Sequence, residues 1–327
     1  PYPGYGFRSG QRYYAVNVFS EIDTPGEWYI DRDRGLLYFY PPSDPKKATV
    51  ELSILASPLV QLDNVSHVTL RGLILDGGRN DGIVIRGGEN NLIAACTVSR
   101  MGGDGAVIDG GTGHGLFGCD LHMLGKGGAR IRGGDRRTLT AGGHFIENCH
   151  IHDFSRLDRS YTPAVHLSGA GNRIAHNLFH HSPHHAMRIE GNDHLLEFNE
   201  IHSVVFDADD QGGVDMWYDA SYRGNVMRYN FWHHIGSGVG HGNAGIRLDD
   251  AICGVLIYGN VFHRCSEERF GAIQIHGGKE NILDNNLFVD CKYAITFSGW
   301  GEKRWLSTLE SDSMKKKLYE DIDIRKP

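Results

Sequence analysis

Between residues 61 and 300 the chain is written in short apolar–polar alternations that recur. Nine segments align, "VTLRGLIL", "LIAACTVS", "GLFGCDLH", "FIENCHIH", "RIAHNLFH", "LLEFNEIH", "VMRYNFWH", "LIYGNVFH" and "ILDNNLFV". Their shared anchor falls on Leu73, Cys96, Cys119, Cys149, Asn177, Asn199, Asn230, Asn260 and Asn286, in steps of 22 to 31 residues. A second run follows each anchor, with two apolar residues one position apart: Ile83/Ile85, Ala106/Ile108, Ala129/Ile131, Val165/Leu167, Met187/Ile189, Val214/Met216, Ile246/Leu248, Ile273/Ile275 and Ile295/Phe297. Period two means strands whose alternate side chains enter a core. Short strands, glycine turns and so short a repeat predict an all-β fold, a right-handed parallel β-helix of about nine or more coils stacked ~4.8 Å apart. A propeller blade would need ~40–50 residues.

The anchor column predicts asparagine amides bonded from coil to coil at a tight turn. Cys96, Cys119 and Cys149 share that column and read as buried thiols, with no C-x-x-C metal spacing. Three residues on lies a second column, His122, His152, His180, His202, His233 and His263, expected to cap one turn on successive coils. Residues 1–60 differ. "GEWYIDRDRGLLYFYPPSDP" predicts a hairpin turning at Asp31–Gly35, part of a β-rich lobe packed on the start of the solenoid. Residues 301–327 are expected to form a cap or tail. The chain opens without Met or signal peptide and closes on the polar "LESDSMKKKLYEDIDIRKP", as expected of a trimmed product or part of a longer protein.

In the second strand the residues between the apolar pair point outward. One outward column reads Val84, Val107, Arg130, His166, Arg188, Asp215, Arg247, Gln274 and Thr296. The next reads Arg86, Asp109, Arg132, Ser168, Glu190, Trp217, Asp249, His276 and Ser298. Four coils also carry long connections, "DFSRLDRSYT", "VVFDADDQ", "IGSGVGHGN" and "SEERF", which can wall one edge of this face. A cleft over roughly 165–276, lined by carboxylates, Arg130, His166, Arg188, Glu190, Trp217, Arg247, Gln274 and His276, suits an extended sugar chain: Trp217 stacks on a pyranose and the charged groups bind hydroxyls or uronates. Asp215 and Asp249 fall on neighbouring rungs, about 8 Å apart, room for two carboxylates with a water between them, though side-chain freedom can shorten this to the spacing of direct attack. Asp209, Asp210 and Asp250 crowd the same place, pushing some pKa values up and leaving other groups ionised. A Ca²⁺ ion held by Asp207, Asp209 and Asp210 is the rival reading; acid–base chemistry itself requires no cofactor.

Composition narrows the partners. A net charge of -7 argues against nucleic acid and anionic membrane, and no apolar run is long enough for a membrane-spanning helix. Glycine, 44 of 327, is well above ordinary usage and supplies the many turns.

The runs "PGEWYIDRDRGLLYFYPP", "GNDHLLEFNEIH", "DDQGGV", "RGNVMRYNFWHHI", "GIRLDD" and "NILDNNLFVDC" resemble bacterial right-handed β-helix proteins of the pectin-lyase-like superfamily, and among carbohydrate-active groups glycoside hydrolase family 141, which includes α-L-fucosidase and xylanase activities. The likeness runs from about Tyr13 to Gly301. It implies a protein working outside the cytoplasm, secreted, periplasmic or on the cell surface. Through "DDQGGV" and "GIRLDD" it implies Asp209 or Asp210 paired with Asp249 or Asp250. The chain departs from that family's pattern at Arg188, Glu190, Asp215, Trp217 and Arg247. The leading expectation is a glycoside hydrolase acting on a plant- or algal-type glycan, acidic ones included. The alternatives are a polysaccharide lyase, with Arg188, Arg130 or Lys126 neutralising a uronate and His166 or Arg247 as base, and a non-catalytic glycan-binding solenoid.

Overall fold

The protein is described by a computed structural model covering residues 9–10, 13, 15–238 and 240–322. The opening "PYPGYGFR" run and the last five residues lie outside the described residues. Two compact units are present, 1–52 and 53–327. In the first, Trp28–Asp31 pairs antiparallel with Leu36–Phe39, and Asp31 opposes Leu36 across the expected turn. Gly35 takes φ 64°, a left-handed conformation that glycine adopts without steric cost.

The second unit is a parallel β-solenoid of about nine coils with three stacked sheets. One sheet runs from Val60–Asp63 to Ile295–Ser298, a second from Thr69–Arg71 to Ile282–Asp284, and a third from Ile74–Asp76 to Leu287–Val289. The predicted inward pairs hold the core: Val165, Leu167, Met187, Ile189, Val214, Met216, Ile246 and Leu248 are all fully buried. The ninth pair departs. Ile295 and Phe297 are 47% and 61% exposed, because no described strand pairs beyond theirs.

Two polar ladders run through the turns. In the anchor column Asn177, Asn199, Asn230, Asn260 and Asn286 pass side-chain hydrogen bonds of 2.9–3.0 Å from coil to coil. Each also accepts the backbone N–H of the coil before it, so no amide pays for its burial unpaired. All six cysteines are free thiols, and Cys96, Cys119 and Cys149 continue the column, buried. The second ladder is mixed. The N–H of Asn91 donates to His114 Nδ1 at 3.1 Å, that of His114 to His144 Nδ1, and that of His144 to Asn172; His194 and Asn225 continue it.

The turn-capping histidines are therefore His114, His144 and His194, not the predicted column. His122, His152, His180, His202 and His233 sit at strand positions on the outer face of the third sheet, where successive rings stack 4.6–5.1 Å apart. The difference follows from parity. The residue three past the anchor shares its face with the one immediately past it, while the residue between, Ile151 or Phe179, points inward.

The C-terminal segment is helical at Glu302–Glu310 and Asp312–Lys315. Trp305 packs with Ala251 and Cys253 on the flank of the solenoid.

Candidate active site

The strand register matches the predicted outward columns. Arg130, His166, Arg188 and Asp215 oppose one another on successive rungs, followed by Arg247, Gln274 and Thr296. Trp217 opposes Asp249, so Asp215 and Asp249 lie on adjacent rungs, two residues apart along the strand.

Their surroundings are less alike than that register suggests. Asp215 is 2% exposed, closed over by its neighbours, and does not face an open trough. Arg188 Nη1 holds its Oδ2 at 2.8 Å. Burial pushes its carboxyl up, against the pull of Arg188 and Arg247, with Asp210 and Glu190 pushing the same way as burial. Such a group orients arginines better than it meets a substrate. Asp249 is also raised, first by burial, then by Asp250 and Asp215, while Arg247 and His276 oppose. It contacts Arg247 Nη2 at 3.1 Å and His276 Nδ1 at 3.1 Å.

Arg247 organises the centre. Its Nη2 contacts Asp249 Oδ2 and also Asp210 Oδ1, at 2.9 Å, and its Nη1 donates to the Asp210 carbonyl. Both carboxylate oxygens bind one nitrogen, so they lie no farther apart than the two contacts laid end to end. That upper bound falls below the ~6.5–9.5 Å that leaves room for water between the carboxyl groups, on the side of the ~5–5.5 Å at which a second carboxylate attacks directly. The Asp210 side chain is half exposed. Its φ of 59° and that of Asp250, 45°, turn both residues out of strand geometry. For Asp250 that turn brings consecutive carboxylates onto one imidazole, His276 Nδ1, at 3.1 and 3.3 Å.

The other aspartates of "VVFDADDQ" serve elsewhere. Asp209 accepts the backbone N–H groups of His241 and Gly242 at 2.6 and 3.0 Å. Asp207 pairs with Arg159 at 2.9 Å. Asp207, Asp209 and Asp210 thus meet three different partners. With Glu267 accepting from Gly238 and Asn243, these bonds tie the four long connections into a braced wall. Beside Arg247 the donors that converge near a single point are Asp249, Asp250 and His276.

Farther along, Glu190 lies 3.0 Å from Arg188 Nε and 3.3 Å from His166 Nε2. Burial pushes Glu190 up, but His166 and Arg188 outweigh it and hold the carboxyl at about 2. Trp217 is 46% exposed, its Nε1–H donating to Asp250 at 3.3 Å. Lys126, Arg130 and His166 line one cavity of about 340 Å³ with Asp104 and Tyr161.

Sequence reasoning missed the opposite wall. Arg304, from Glu302–Glu310, reaches Asp250 at 3.3 Å, and Lys317 donates to the Tyr218 carbonyl. Burial lowers the Lys317 ammonium, with Asp219 and Glu190 pulling the other way. The helical spacing of Trp305 and Leu309 was the available signal for this segment. Arg136, beyond the strand Ala129–Asp135, stands over the Tyr222 ring at 4.7 Å and bonds Asn192 and Ser221.

A family model described as "Right handed beta helix region" matches residues 59–157 and 146–310, and the chain belongs to that family. No curated protein matches the sequence. Among solved structures it is similar to one titled "Glycoside hydrolase", at 14% identity and a TM-score of 0.52, over 83% of this chain and 57% of that one. The chain thus spans little more than half the length of that structure. A second is titled "Crystal structure of alginate lyase from Paenibacillus sp. str. FPU-7", at 13% identity and a TM-score of 0.25, over 72% of this chain and 92% of that one.

Proposed function

We propose that this right-handed β-helix protein is a glycoside hydrolase, with Asp249 as general acid and Asp210 as the carboxylate that attacks the anomeric carbon. The observation that carries this reading is the single guanidinium nitrogen shared by Asp210 and Asp249. A buried acid pushed up by its surroundings keeps a proton for the leaving oxygen, and a half-exposed carboxylate held by Arg247 is free to attack. In the second step water attacks the anomeric carbon and displaces the Asp210 carboxylate, while Asp249, now ionised, takes the water's proton. Trp217, partly exposed and bonded to Asp250, supplies a stacking platform beside the pair.

The cavity that joins Lys126, Arg130 and His166 favours a second reading, a lyase that neutralises a uronate carboxylate and abstracts the adjacent proton. Arg188 and Arg247 suit that chemistry less, since both are committed to carboxylates of the chain itself. Digestion of a panel of plant and algal glycans separates the two. Hydrolysis releases reducing ends with no near-ultraviolet absorbance, and β-elimination releases unsaturated, absorbing ends. Absorbing products would overturn the hydrolase proposal; binding without any cleavage would return the protein to a glycan-binding role.

A further inference from the structure

The outer face of the third sheet, apart from the cleft, carries an arrangement that ladder stacking does not explain. Stacking needs one imidazole per rung, as His122, His202 and His233 provide. The rung His150–His152 carries two. His150 occupies the column where the neighbouring rungs have Asp120 and Leu178. Its ring turns onto the ladder, with its centroid 4.1 Å from that of His152 and its Nε2 2.7 Å from His180 Nε2. One nitrogen atom from each of His150, His152 and His180 falls within 4.8 Å of the others.

We propose that His150, His152 and His180 form a binding site for Zn²⁺, with the carboxylate of Asp120 near enough to swing in as the fourth ligand. Three imidazoles and one carboxylate suit Zn²⁺ and its borderline neighbours, whereas Ca²⁺ and Mg²⁺ prefer all-oxygen shells. Asp120 Oδ1 lies 3.3 Å from His152 Nε2 and 3.6 Å from His150 Nδ1, yet it is buried and makes no hydrogen bond within the described residues. That leaves an oxygen without a hydrogen-bond partner beside the cluster, on a side chain exposed enough to move. His152 is already oriented as a ligand: its Nδ1 lies 2.7 Å from Asp153 Oδ2, the outer carboxylate that fixes a metal-bound imidazole and leaves Nε2 as the donor. Zn–N bonds of ~2.0–2.1 Å in a tetrahedron separate the nitrogens by about 3.3 Å, so for the ion to enter, the stacked His152 and His180 rings must tilt toward each other and His150 must swing away from His180. Asp153 begins the first of the long connections that wall the cleft, so the ion would pin the base of that wall.

The test is calorimetric titration of the whole, chelator-treated chain with ZnCl₂, paired with melting curves. The expected result is saturable binding, weakened at least about tenfold in His150→Gln and in His180→Gln, with His263→Gln unaffected. Zinc should raise the melting temperature of the wild-type chain and leave that of His150→Gln unchanged. Should His180→Gln fail to fold, the half-exposed His150 position decides alone. No saturable binding, or binding retained in His150→Gln and lost in His233→Gln, would overturn the assignment and in the latter case move the ion to Glu200, His202 and His233.

Discussion

Asn230 and Asp215 are both polar, both stacked between rungs and both nearly fully buried, at 1% and 2% exposure. Asn230 accepts from the backbone N–H and the amide of Asn199, and donates to the Leu196 carbonyl and to Asn260. Every polar atom finds its partner because the next coil repeats the same residue. Asp215 has unlike neighbours: arginines on the rungs to either side, with Asp210 and Glu190 close by. Around it Arg247 Nε and Gln274 Oε1 are buried without hydrogen-bond partners within the described residues. In a solenoid, repetition satisfies polar groups at little cost, and a column that abandons repetition leaves charges that only a ligand or a reaction justifies.

The comparison breaks most sharply at the cleft pair. Asp249→Asn and Asp210→Asn should each lower glycan cleavage by about 10²–10⁴-fold with the melting temperature nearly unchanged. A variant that loses activity only because it unfolds would put that aspartate with the ladders. Next in size is Arg188→Met. It strands Asp215 as a buried, unpaired acid, and denaturant unfolding should show a loss of about 3–5 kcal/mol. The double variant Arg188→Met with Asp215→Leu should regain much of that loss.

On the ladder side, Asn230→Ala should cost roughly 1–3 kcal/mol by leaving the Asn199 groups unpaired, with activity below the melting transition unaltered. The smallest effect is on pH dependence. Burial holds His144 and His194 at about 4 in the folded chain, against 6.5 for the free side chain. Between those values the unfolded chain binds more protons, so stability is complete above about pH 6.5 and falls as pH drops toward 4. His194→Asn keeps a ladder residue of the type found at Asn172 and Asn225 but removes one titration. Its melting temperature should fall less steeply over that range.

The coil period, the inward pairs and both outward columns were legible, because in a parallel solenoid equal spacing becomes direct adjacency. Asp215 shows where that legibility ends. Its register was readable, but its burial depends on how Arg188 and Arg247 fold over it. Asp209 was a candidate through "DDQGGV", and nothing in that run shows that its carboxylate accepts the backbone N–H groups of His241 and Gly242. Asp250 reached the centre through a left-handed turn that strand alternation does not encode. Arg304 and Lys317 act from a segment with no repeat to align, so only its packing on Ala251 and Cys253 reveals where they reach.

The central claim is that Asp210 and Asp249 work as a closely spaced pair across Arg247. Proton NMR of the first product formed, on a glycan the wild-type chain cleaves, reads this directly through the anomeric signal. A pair this close predicts an initial product that keeps the substrate's anomeric configuration. An inverted first product would contradict the account, because it requires a water between carboxylates farther apart than Arg247 allows.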